Sequence, residues 1–546
     1  MNEPGKNPGT RTDVLLLVTF CGFLFFHGLG AFGLLGADEP RYAQVAREML
    51  DRSDWVTPTL QGKAWLEKPV LYYWEAMLSF HIARGVTDQA ARLPAAFDAA
   101  MLIAAIYFFL RRFRPGSELD GALITASCAG VIGFAHAAAT DMPLTAAFVI
   151  ALLAWYAWYG SSRRIYLSAF YIALALGTLA KGPVAPALAA VIILLFVAVK
   201  HDWRAIPRTF WVPGIFLYLA VMLPWYVAVQ SRNPEFFRVF ILEHNLARFS
   251  QDLYHHRQPF WFYLPVFLLA TMPWTLVLIV AVAERARLIW SEGKQAFARA
   301  EDSWALFLLI WMFVPVLFFS ASQSKLPGYI LPAVPAAALL VAEYLAARGG
   351  GNRVSEGKYF PRWLVVAHSV LCAVLISSAL FATFYSASIA MNHRIPRDTG
   401  TYFAPVVAVV LGFGIVTLLL SRQGLRLLSR VTVFAVVVSA AAIVHLAAPL
   451  IDATQSARPI AESILGFSHE PVPIALYHVN RVQEYGLEFY LNRPAQKYED
   501  GNVPAAAHVV VAAQNTQSQV AQLVPGRRVS YLTSLPAQKL DLYWVK

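Results

Sequence analysis

The stretch "GLLGADEPRYA", Gly33 to Ala43, ends a long apolar run and then sets Asp38, Glu39 and Arg41 close together. Other apolar runs end in the same way. Glu67 and Lys68 lie in "WLEKPVLYYW", Asp141 in "ATDMPLT", Lys181 in "LAKGPVAP", His255, His256 and Arg257 in "HHRQPFWFY", and Lys325 and Tyr329 in "SQSKLPGYILP". Carboxylates and cations beside aromatic rings at such boundaries suit a ligand with an anionic head, a polar body and an apolar tail. A lipid phosphate carrying a sugar has that form. A unit charge held at about 4 Å gains roughly 4 kcal/mol at an effective dielectric near 20, so two or three of Lys68, Arg257 and Lys325 hold a phosphate firmly. The same cations stabilise that phosphate as a leaving group. Carboxylates then complement an oxocarbenium-like transition state, bind the sugar's polar groups or act as general base.

Each residue also has a plainer role. Lys181 and Lys325, taken singly, suit side chains that snorkel to headgroups. Asp141 and Asp38 are placed to cap the helices that follow them. An outer-loop His pair is more often solvated than metal-bound, and "HHR" lacks a ligand spacing that names a metal. Glu67 and His256, brought from two loops, are the candidate pair for a divalent metal, with no third ligand visible. No cofactor is otherwise required, and a chelator is expected to leave activity largely intact. The joint pattern favours a site, because Ser, Asn and Gly would serve two- or three-residue turns equally well.

The elements that must position these residues are membrane helices. The chain has 546 residues, of which 58% are hydrophobic and only 14% charged, with a mean hydropathy of +0.52, a balance foreign to soluble domains of this length. The run from Val14 to Leu35 is uncharged, long enough to cross a hydrocarbon core and too long for a signal-peptide core. Further runs near 94–110, 120–138, 143–160, 165–180, 183–199, 210–229, 260–283, 304–320, 328–347, 363–385, 403–420 and 431–450 make about thirteen spans. Arginine and lysine mark every second connection, for example Arg111, Arg112 and Arg114, then Arg163 and Arg164. The positive-inside rule makes those loops cytoplasmic. The loops 36–92 and 230–259 then face outward, the N-terminus lies inside and the C-terminus outside. The net charge of +11 is dispersed among these spans, without the basic stripe of a nucleic-acid binder. Cys21, Cys128 and Cys372 sit in apolar runs and read as small hydrophobes rather than a disulfide framework. "GLGAFG", Gly28 to Gly33, matches a dinucleotide pattern, but it follows a membrane helix rather than a strand. Small residues for close helix packing are the better account.

From Ile451 the texture changes. "PIALYH", "HVVVAA", "RRVSYL" and "LDLYWV" read as strands, and "RVQEYGLEFYL" and "TQSQVAQLV" as helices. The expected organisation is a mostly α membrane domain over residues 1–450 and a small α/β domain over 451–546.

"GADEPRYA", "WLEKPVLYYW", "TDMPLTA", "LAKGP", "EHNLARF", "HHRQPFWFYLP" and "SKLPGYILP" together, in this order, resemble the lipid A aminoarabinose transferases. These are membrane glycosyltransferases of the GT-C type, related to protein O-mannosyltransferases. The resemblance covers the whole membrane part and matches the small C-terminal domain. It implies transfer of 4-amino-4-deoxy-L-arabinose from undecaprenyl phosphate to a phosphate of lipid A, on the periplasmic side of the bacterial inner membrane, in lipopolysaccharide modification and polymyxin resistance. It places Asp38 as the active-site carboxylate of the first outer loop, with Arg41 and Tyr42 beside it, and Asp141 as the second functional acid. Glu67 and Lys68 match a pair in the same loop, Glu67 as a third candidate catalytic acid, and Lys68, Arg41, Tyr42, Lys181, His256, Arg257, Lys325 and Tyr329 are the candidate residues for lipid phosphate and substrate. Two rivals remain open: a GT-C enzyme for another polyprenyl-phosphate sugar or another acceptor, and a transporter of a lipid-linked sugar. A transporter carries ionisable groups near the midplane and often shows paired halves; here the acids gather at one rim.

Overall fold

The computed structural model describes residues 8–247, 258–292, 300–348, 361–390, 410, 414, 424–467 and 471–546. Among these, six helices are long and apolar enough to cross a membrane: Asp88–Phe113, Asp141–Ser161, Val212–Arg232, Ser303–Ala321, Pro327–Ala346 and Leu427–Gln455. Two bent pairs raise that number to eight if each is one crossing, and Val184–Lys200 and Arg362–Ser378 are shorter apolar helices. The expected count of about thirteen is therefore not reached among the described residues, and the run 403–420 lies almost wholly outside them.

Two of the expected spans are broken. The run near 120–138 is Glu118–Ala126 and Ala129–Ala135, bent by 63°, and the run near 260–283 is bent by 116° between Phe260–Ala270 and Thr275–Ser291. A break inside an apolar environment strands backbone and side-chain donors that need partners. Here the two breaks supply each other. The Ala129 amide donates to the Met272 carbonyl at 2.8 Å, and the Trp274 indole donates to the Ser127 hydroxyl at 2.9 Å. Gly130 lets the backbones approach, since a Cβ there would meet Ala270 at 2.9 Å.

The chain forms two compact units, one of Met1–His27, Leu66–Tyr72 and Pro94–Ala442, the other of Gly28–Trp65, Tyr73–Leu93 and Ile443–Lys546. In the first, the helices Asp141–Ser161 and Arg164–Lys181 form an antiparallel hairpin whose turn, at Ser162, takes a left-handed conformation. Both helices run about 30 Å, so the hairpin returns Lys181 to the level of Asp141.

In the second unit, residues 28–36 correct the reading of Val14–Leu35 as one helix. The helix Pro8–Phe26 stops nine residues short of Leu35, and Gly28 and Gly36 have φ of +78° and +63°, which only glycine adopts at little cost. The glycines of "GLGAFG" thus pack closely in a turn rather than along a helix: a Cβ on Gly28 would lie 2.4 Å from the Val444 side chain. The polar backbone of this turn is satisfied by side chains. Gly33 donates to Asp452 at 2.8 Å, Leu34 donates to the Tyr490 hydroxyl at 2.7 Å, and the Arg92 guanidinium donates to the carbonyls of Leu29, Phe32 and Gly33 at 2.8 Å.

The same unit holds the helix Asp38–Asp51, a short hairpin of β1 (Thr59–Leu60) and β2 (Lys63–Ala64), and a five-stranded sheet. The sheet comprises β3 (Ile474–Tyr477), β4 (Ala495–Lys497), β5 (His508–Ala513), β6 (Val529–Leu535) and β7 (Leu540–Val545) in the order β4-β3-β5-β7-β6. β3 pairs in parallel with β4 and β5, while β7 pairs antiparallel with β5 and β6. Side chains alternate between faces. Val509 and Val511 pack with the helices Arg458–Phe467 and Arg481–Leu491, whereas Val510 and Ala512 pack with the helix Gln517–Leu523. The four expected strands and both expected helices are present; β4 and the helix Arg458–Phe467 are additional.

Candidate active site

Asp141 is the first residue of its helix and Lys181 the last of its own, so the carboxylate sits at a partial positive charge and the ammonium at a partial negative one, the favourable sense for each. The hairpin brings them together, with Lys181 Nζ 2.5 Å from Asp141 Oδ1 and both side chains mostly buried. Thr140, not Asp141, takes the cap position, so the capping role does not account for this carboxylate. The third member comes from the short 3-10 helix Pro327–Ala333: the Tyr329 ring lies 4.8 Å below the Lys181 ammonium. Gly328 beside it makes room, because a Cβ there would fall 2.4 Å from Asp141 Oδ1. Lys325, buried nearby in sequence, directs its ammonium at the carbonyls of Ser322 and Gln258, at 2.5 and 3.1 Å. Glu67 and Lys68 belong to the same unit and are half-buried in the bend preceding the helix Leu71–Ala83.

The other unit separates the two adjacent acids by role. Glu39 turns inward, pairing with the fully buried Arg92 at 2.7 Å and accepting the Leu35 amide at 3.0 Å. Asp38 stays half exposed and pairs with Arg41 one helical turn on. Ala37 takes the cap position of this helix, so Asp38 is no cap either. The Arg41 guanidinium lies over three rings, Trp65 at 4.9 Å, Tyr485 at 5.4 Å and Tyr42 at 5.5 Å. Such contacts hold the cation in place beside Asp38. Trp65 and Tyr485 were not among the expected site residues. Trp65 opens the motif "WLEKPVLYYW", but nothing local links Tyr485, more than 400 positions away, to Arg41.

His256 and Arg257 lie outside the described residues, and with them the second half of the Glu67–His256 pair. Among the described residues no group of three His, Cys, Asp or Glu side chains is placed to hold a metal.

A family profile described as dolichyl-phosphate-mannose-protein mannosyltransferase matches residues 67–227. The undecaprenyl phosphate-alpha-4-amino-4-deoxy-L-arabinose arabinosyl transferase of Pseudomonas aeruginosa (strain UCBPP-PA14) is 33% identical over 344 residues, covering 62% of this chain and 60% of that protein's own length. The protein of the same description from Pseudomonas savastanoi pv. phaseolicola (strain 1448A / Race 6) is 30% identical over 421 residues, 76% of this chain and 74% of the relative. Among solved structures, ArnT from Cupriavidus metallidurans bound to undecaprenyl phosphate has a TM-score of 0.73 at 21% identity, covering 97% of both chains. The apo oligosaccharyltransferase of Archaeoglobus fulgidus follows at 0.51, covering 96% of this chain and 72% of that one. The fold is therefore that of a polytopic GT-C membrane protein with a small C-terminal sheet domain. Within that class, the chain belongs to the undecaprenyl phosphate-alpha-4-amino-4-deoxy-L-arabinose arabinosyl transferase family.

Proposed function

We propose that the protein is a glycosyltransferase of the bacterial inner membrane that moves 4-amino-4-deoxy-L-arabinose from undecaprenyl phosphate to a phosphate of lipid A on the periplasmic face. Family membership supports the donor and the sugar. The observation that carries the chemistry is that both named acids are held against a cation, Asp141 by Lys181 and Asp38 by Arg41. An incoming lipid phosphate competes for the cation and so releases the carboxylate for the ammonium of the aminosugar. This exchange of partners conserves charge and costs less than burying either ion alone.

In the reaction an oxygen of the acceptor phosphate attacks the anomeric carbon and the bond to the polyprenyl phosphate breaks. The attacking group is already anionic and the departing one leaves as an anion, so no proton has to be removed. The carboxylates hold the ammonium and the acceptor's geometry, and the cations stabilise the leaving phosphate. Glu67, Lys68, His256, Arg257, Lys325 and Tyr329 complete the proposed environment of the lipid phosphate. A divalent metal at Glu67 and His256 would add a further charge on that phosphate.

Mass spectrometry of lipid A tests the reading, in a Gram-negative strain lacking its own aminoarabinose transferase but making the donor. Expression of this chain is expected to add one aminopentose, and the Asp38→Ala variant to add none. Unmodified lipid A despite good membrane expression would overturn the assignment of sugar and acceptor.

A further inference from the structure

A cavity of about 410 Å³ opens between the helices Thr275–Glu292 and Val334–Ala346. It lies at the far end of Val334–Ala346 from Gly328 and Asp141, a helix length of about 20 Å away. Arg285, Arg287 and Arg348 line it together with Glu284 and Glu343, and Leu288 and Leu340 supply an apolar wall.

The charges in this cavity are unequal in kind. Glu284 is already engaged, by the Arg348 guanidinium and by the Tyr344 hydroxyl at 3.0 Å, and Glu343 lies 3.9 Å from Arg114. Arg348 is fixed by stacking, its guanidinium 3.8 Å over the Tyr344 ring, and its buried Nε has no hydrogen-bond partner among the described residues. Arg285 is half-buried and Arg287 exposed. Among the described residues, three arginines against two carboxylates leave the lining net positive. Trp290 on the same helix is 93% exposed, the placement of an aromatic residue at headgroup level. Basic pockets between membrane helices at that level recognise anionic lipid headgroups.

We propose that this cavity seats the phosphate of an anionic phospholipid, with Arg285, Arg287 and Arg348 on the phosphate and Leu288 and Leu340 along the first methylenes of an acyl chain. The site is separate from the one proposed for transfer and does not depend on that function. A free phosphate shares the headgroup's chemistry but cannot use the apolar wall.

The test uses the full chain in detergent, titrated in turn with phosphatidylglycerol, phosphatidylcholine and inorganic phosphate while Tm is followed. Phosphatidylglycerol is expected to raise Tm saturably, and the other two to leave it unchanged. At about 1 kcal/mol per cation, Arg287→Ala raises the half-saturating concentration about fivefold and Arg285→Ala/Arg287→Ala about thirtyfold. An equal response in the double variant and the parent overturns the site. An equal rise with inorganic phosphate overturns the lipid as occupant. If the double variant fails to fold, Arg287→Ala alone decides the matter, since its exposed side chain contributes little to packing.

Discussion

Removing one partner of the Asp141–Lys181 pair leaves the other mostly buried and uncompensated, whereas removing both does not. Asp141→Asn and Lys181→Met are therefore each expected to lower transfer by about a hundredfold or more, and the double variant to cost no more than the worse single one. Turnover of a polyprenyl-phosphate aminosugar in detergent measures this; additive losses would show that the two residues act independently. Asp38→Asn removes charge and keeps shape, so it is expected to lose activity at every pH if the acid holds an ammonium. The residue types were legible in the sequence because ionisable groups at apolar boundaries stand out there. Their roles were less so. Asp38 and Glu39 are neighbours with the same chemistry, and only the buried Arg92, 53 positions on, assigns Glu39 to the scaffold.

At the scale of elements, the proposed site depends on how closely chain segments approach. Gly328 passes so near Asp141 that a methyl group would displace the carboxylate or the adjoining Phe134 ring. Gly328→Ala is expected to reduce transfer at least tenfold with little change in Tm, because the obstructing atoms end flexible side chains; a large fall in Tm with transfer retained per folded molecule would refute this. Helix periodicity and length located most elements, including the hairpin that joins Asp141 to Lys181. They missed the two breaks. Apolar runs across Cys128 and Met272 look continuous in composition, and what permits the bends is a pair of hydrogen bonds between segments more than 140 positions apart. The helix expected over Val14–Leu35 failed for a related reason. Uncharged residues suffice for a span in sequence, yet the glycines of that run take turn conformations whose backbone is satisfied by Arg92, Asp452 and Tyr490.

Considered as a whole, the molecule carries a pH dependence outside its membrane helices. Burial pushes the Glu488 carboxyl from 4.5 up to about 7, although its Oε1 accepts the Ala495 amide at 3.3 Å. The folded state then binds more protons than the unfolded one between those pH values, so this stabilisation is complete below about pH 4.5 and is lost as pH rises through about 7. The parent is expected to melt lower at pH 8 than at pH 5, and Glu488→Gln to remove on the order of 2 kcal/mol of that difference; an unchanged difference would show that the carboxyl is not buried as described. Composition and periodicity alone determined that the chain is a polytopic membrane protein with an α/β tail, because apolar runs of membrane length and alternating strands are local properties of the chain. They also marked which boundaries carry ionisable groups. The tertiary structure decided which of those groups meet, since ion pairs such as Lys181 with Asp141 and ring contacts such as Arg41 with Tyr485 are set by packing between segments distant in sequence, and no local pattern encodes them.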